Sequence, residues 1–183
     1  MEMVCNKIEW AAGNAARKAC FFGKDLGTLL RMPFESRLHL TAEALDAERE
    51  IIVECGAVSV EQTMLLIQTA VAGGAAGICV ASPPFFGIAE RELVSFYQKI
   101  AQTVPDGFPL YLRHIPQLGN NSISKAILQK LIQQCPNIVG LIDNTTDSAR
   151  MLMLSKDRDY HLLTDCDAVF EIAVLLGYDG LIR

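Results

Sequence analysis

In the second half of the chain a histidine and three acids stand just behind short apolar runs. His114 follows PLYLR, Asp143 follows NIVGLI, and Asp165 and Asp167 follow HLLT. If those runs are parallel strands, the side chains sit where ligands meet such sheets, and they could perform acid–base work or hold a divalent metal. Helix capping and loop hydrogen bonding explain the acids more simply, so no metal is expected. Arg113 stays protonated and could grip a carboxylate. Cys166 lies between two acids, but no histidine is its evident partner, so it reads as a structural thiol. The cysteines at 5, 20, 55, 79, 135 and 166 lack C-x-x-C spacing, which argues against zinc and against a disulfide scaffold. His39 and His161 read as surface or core residues.

These side chains need a frame, and the chain supplies an alternating one. Strand candidates fall at 26–30, 50–54, 77–81, 109–113, 137–142, 161–164 and 180–183, several of them almost continuous apolar runs suited to a sheet covered on both faces. Between them, 7–22, 41–49, 60–72, 90–103, 122–134, 145–155 and 167–176 carry apolar residues three and four apart, as in Leu93, Phe96, Tyr97 and Ile100. This alternation predicts an α/β protein with a parallel sheet. Its strands end at 31–35, 54–59, 82–86, 113–117, 142–145 and 164–167.

A chain of 183 residues that is 51% hydrophobic fills one domain. A net charge of −5 with no basic cluster argues against nucleic acid or an anionic membrane as partner. The uncharged stretch 62–89 is broken by Gln62, Gln68, Gly73-Gly74 and Pro83-Pro84, so it reads as a buried helix and strand, not a membrane span. With no signal-peptide pattern, a cytoplasmic location and a small-molecule ligand are expected.

Six pieces, in order and spacing, carry a family resemblance: LTAEA at 40–44, CGAVSVEQT at 55–63, AGGAAGICVASPPFF at 72–86, PLYLRHIPQLGN at 109–120, PNIVGLIDNTTD at 136–147 and LLTDCDAVFEIAVLLGYDGLI at 162–182. Together they resemble the dihydrodipicolinate synthase and N-acetylneuraminate lyase family, the pyruvate-type class I aldolases. The resemblance implies a (β/α)8 TIM barrel, here incomplete: one partial domain over 1–183 without the first strand and last helix, open along two edges. It also implies a carbon–carbon lyase acting on pyruvate-derived oxo-acids, with no cofactor, and a homo-oligomer for which Pro84-Phe85-Phe86 could supply surface, although these residues could equally pack over the barrel mouth as a plug.

The family forms a Schiff base on a lysine of the sixth strand, and the matching position is Ile142. Its tyrosine in a Y-N-x-P pattern corresponds to Arg113 of RHIP, and its carboxylate loop to 31–35, where Glu35 and Ser36 keep the family character. The expected substrate-binding set is Glu35, Ser36, Arg113, His114, Asp143, Thr164 and Asp167. Isoleucine has no nucleophilic nitrogen, so kinship implies a lyase while the residues imply an inactive one. The alternatives are a non-catalytic module that binds an oxo-acid or pairs with an intact paralogue, and a degenerate gene product.

Overall fold

A computed structural model describes residues 5–11, 19–47, 50–84, 86–119 and 121–183. Its centre is a closed barrel of eight strands in sequential order. They are β1 (Cys5–Trp10), β2 (Ala19–Phe22), β3 (Ile51–Glu54), β4 (Gly77–Ala81), β5 (Leu110–His114), β6 (Ile138–Asp143), β7 (His161–Thr164) and β8 (Gly180–Ile182). From β2 to β8 each strand runs parallel to the next. The outer layer holds α1 (Leu26–Arg31), α2 (Phe34–Ala47), α3 (Val60–Ala72), α4 (Glu90–Thr103), α5 (Lys125–Gln134), α6 (Ser148–Ser155) and α7 (Phe170–Leu175).

The α/β barrel class and six of the expected strands are present; the first part of the chain differs from expectation. Segment 7–22, expected as a helix, contributes β1 and β2 instead, while 12–18 lies outside the described residues. β1 runs antiparallel between β2 and β8, pairing Asn6 with Phe21 and Glu9 with Leu181. The (β/α)8 repeat is therefore irregular at its start. The sheet is nevertheless closed, and the two open edges expected from sequence do not exist. Strand alternation explains how: Ile8 faces the core while Lys7 and Glu9 form an ion pair on the outer face, so this strand does without a covering helix.

Segment 26–30, expected as a strand, is α1. Gly23 ends β2 at φ 104°, a conformation suited to glycine, and Asp25 then accepts from the Thr28 N–H as N-cap. The second helix, expected at 41–49, is the longer α2 beginning at Phe34; residues 48–49 lie outside the described set.

Two apolar cores follow from the pleat. Between sheet and helices lie residues such as Val53, Val80, Leu112, Leu141 and Leu162. Inside the barrel, inward residues stack in layers drawn from alternate strands: Phe21, Cys79, Ile142 and Ile182 from even strands, above Ile8, Ile52, Tyr111 and Leu163 from odd ones. Among the described residues no helix is long and apolar enough to cross a membrane.

Candidate functional site

One layer above Ile142, at the carboxyl ends of the odd strands, the interior turns polar. Glu54 closes β3, Arg113 lies near the end of β5 and Asp165 follows β7, with relative exposures of 0%, 1% and 2%. The Arg113 guanidinium has five N–H groups, and all five are engaged. Nε donates to Asp165 Oδ2 at 3.1 Å; Nη1 donates to Gly23 O at 2.9 Å and Glu54 Oε2 at 3.1 Å; Nη2 donates to Lys24 O at 2.6 Å and also to Asp165 Oδ2. Its carbon lies 5.2 Å from the Phe21 ring centroid below. Burial works against its charge, but Asp165 and Glu54 outweigh that, so its pKa lies above the ordinary arginine value.

The carboxylates are fully occupied too. Glu54 Oε1 accepts from the N–H groups of Gly56 at 2.7 Å and Ala81 at 3.1 Å, and Asp165 Oδ1 accepts from Asn144 Nδ2 at 2.8 Å. Burial, reinforced by Glu54, drives the Cys79 thiol well above its usual range, so it stays neutral beneath this cluster. The barrel mouth is thus filled by a satisfied ion network.

His114 and Asp143 are also register partners, but they face outward. His114 Nδ1 lies 2.8 Å from Asp143 Oδ1, and Arg150 of α6 donates to the same carboxylate from Nη2 at 3.0 Å and from Nε at 3.2 Å. Thr164 Oγ1 donates to Asp143 O at 2.8 Å. These residues tie β5, β6 and β7 to α6. The polar residues expected to share one site are split by the barrel wall: Asp165 joins Arg113 inside, whereas His114, Asp143 and Thr164 join Arg150 outside.

The remaining expectations move further. The loop at the carboxyl end of β2 is Gly23-Lys24-Asp25, not 31–35, and Glu35 and Ser36 are exposed at the start of α2. Asp167 is at the rim, its side chain 75% exposed, and accepts from Lys24 Nζ at 2.6 Å. Lys24 Nζ also reaches Ile182 O at 3.0 Å. Sequence reasoning left out Lys24, Glu54 and Arg150 as site residues; the one available signal was a glutamate closing the apolar IIVE run. Among the described residues no group of three or more His, Cys, Asp or Glu side chains converges as metal ligands.

The family model of the dihydrodipicolinate synthetase family matches residues 35–183. The chain belongs to that family. Relatives include a probable 2-dehydro-3-deoxy-D-pentonate aldolase of Escherichia coli, 30% identical over 160 residues, covering 84% of this chain and 49% of that protein. An N-acetylneuraminate lyase of Gallus gallus is 25% identical over an alignment of 191 residues that covers 100% of this chain and 62% of the lyase. Among solved structures, an E. coli K12 protein of the dihydrodipicolinic acid synthase family, in complex with pyruvate, superposes with a TM-score of 0.81. It is 24% identical and covers 90% of this chain and 57% of its own, a likeness that establishes the fold. The chain thus spans about half the length of the relatives it matches.

Proposed function

We propose that this member of the dihydrodipicolinate synthetase family descends from Schiff-base carbon–carbon lyases acting on pyruvate-type oxo-acids but does not itself form the Schiff base. The observation that carries the reading is the side chain at 142: an isoleucine with 0% exposure, packed inside the barrel at the position matched to the family lysine. No amine stands there to condense with a keto group, so the electron sink that such lyases require has no origin at that strand. Arg113, at the position matched to the family tyrosine, supports the same conclusion, because its five donors are spent on the protein and a guanidinium does not relay protons.

With a sealed mouth, a non-catalytic role is the better fit: a barrel that binds or assembles without turnover. The test is pyruvate release from N-acetylneuraminate and from 2-keto-3-deoxy sugar acids. No release above a heat-denatured control is expected, and sustained turnover would overturn the reading.

One observation favours a second reading. Lys24 brings an amine to the mouth, partly buried at 22% side-chain exposure and paired with Asp167. If Lys24 supplied the nitrogen, a reduced oxo-acid adduct would map to it.

A further inference from the structure

Two aspartates of this chain are followed directly by glycine, Asp106-Gly107 and Asp179-Gly180, and the fold treats the two pairs oppositely. In such a pair the glycine nitrogen can attack the aspartate side chain, because no Cβ crowds the approach and the ring that closes is five-membered. The reaction needs a carboxyl group free to turn, an N–H without another partner, and backbone with room to bend.

The turn from α4 into β5 meets all three conditions. Pro105, Asp106 and Gly107 are exposed. The Phe108 N–H closes the turn on Pro105 O at 3.1 Å, which leaves Asp106 and Gly107 as its central residues. Neither the Asp106 carboxylate nor the Gly107 N–H has a hydrogen-bond or ion-pair partner among the described residues. Gly107 holds φ at 76°, and a Cβ there would meet nothing within 4 Å, so this peptide stands clear of the protein.

Asp179-Gly180 is held on every side. Asp179 Oδ2 accepts from Arg158 Nη1 at 2.5 Å and from the Leu162 N–H at 2.8 Å. Gly180 is buried in β8, in register with Trp10 of β1 on one side and Leu163 of β7 on the other. A strand paired on both edges cannot bend into a ring without breaking its ladder.

We propose that Asp106 is a site of spontaneous isomerisation to isoaspartate in the native protein, and that Asp179 is shielded from it. Gly107 N attacks Cγ of the protonated Asp106 carboxyl; the N–Cγ bond forms, the Cγ–OH bond breaks, and the hydroxyl leaves with the amide proton as water. Water then opens the succinimide. Opening at Cγ restores aspartate, while opening at the main-chain carbonyl routes the chain through the former side chain and leaves a carboxylate on Cα. The mass is unchanged, but the turn between α4 and β5 gains a methylene in its backbone.

The full chain is held folded at physiological temperature for several weeks, digested with trypsin, and methylated with an isoaspartyl methyltransferase and labelled S-adenosylmethionine. The label, assigned by peptide fragmentation, should appear at Asp106 in Ile100–Arg113 at least about tenfold above Asp179 in Asp159–Arg183. Ageing in guanidinium chloride should bring the two sites within about twofold, since the unfolded chain exposes both pairs alike. Asp106→Glu, whose longer side chain closes a ring poorly, should lose the label at this position and keep the parent's thermal midpoint. Absence of label at Asp106, equal labelling of Asp179 in the folded chain, or a tenfold preference that persists in guanidinium chloride would each overturn the proposal.

Discussion

Arg113 and Ile142 are register partners on β5 and β6, so the fully bonded guanidinium stands beside the buried isoleucine. The two residues depend on each other. A lysine at 142 would place a second cation next to a buried first one, where repulsion is weakly screened. With arginine locked between Glu54 and Asp165, an apolar neighbour is the compatible partner. Arg113 and Ile142 thus form one packing solution.

The network makes Arg113 a structural residue. Arg113→Met strands Glu54 and Asp165 as buried carboxylates without a cation, and urea denaturation should show a loss of about 3–5 kcal/mol. Adding Glu54→Gln and Asp165→Asn to that variant should recover part of the loss. A single mutant within experimental error of the parent would show that the mouth is not held by these charges.

Gly140 sits where β6 presses on β7, and a Cβ there meets His161 backbone as well as its Cβ at 2.8 Å. Because backbone cannot step aside cheaply, Gly140→Ala should cost about 3 kcal/mol, at the upper end of overpacking penalties. The same change at Gly107, where a Cβ meets nothing within 4 Å but φ is 76°, isolates the conformational cost alone. That variant should lose about 1 kcal/mol.

These two sites also mark how much of the architecture could be read from the sequence. Strands β3 to β8 were legible because each is a buried apolar run, most of them with Gly, Pro or Asn at a boundary, the pattern of a sheet covered on both faces. The beginning was not. Ile8, Ala11, Ala12, Ala15, Ala16 and Ala19 stand three and four apart, the spacing of a helix, and LGTLL fits a short strand as well as a helical turn. Reading 26–30 as the strand then displaced the following loop, hiding Lys24 at the mouth and putting Glu35 and Ser36 in its place. The split of His114 and Asp143 from Asp165 follows from strand alternation, and anchoring that alternation needed the inward position of Ile142.

Asp25 caps α1, and its bonds from the Thr28 hydroxyl and N–H hold its pKa below the ordinary aspartate value. A depressed folded pKa means the cap contributes fully above the unfolded value and fades as pH falls through the folded one. At neutral pH Asp25→Ala should therefore cost about 1 kcal/mol. Below pH 3.8 the difference from the parent should shrink. A pH-independent difference would remove the carboxylate from the explanation.

At alkaline pH the thiols act in the opposite sense. Burial, with Glu54 adding to it, raises the Cys55 and Cys79 thiols above the ordinary cysteine value. Both thiols therefore stay neutral in the fold while unfolded chains ionise. Stability should be intact below pH 9 and fall as pH rises beyond it. Cys79→Ala should flatten part of that fall, and alkylation of both thiols in the native protein should require unfolding.

Reductive trapping decides whether a Schiff-base amine operates in this barrel. The protein is incubated with pyruvate and borohydride, then weighed intact and mapped by peptide mass. The protein should keep its unmodified mass, beside a family aldolase that gains one reduced pyruvate under the same conditions. One stoichiometric adduct on this chain, at Lys24 or at any other lysine, would contradict it.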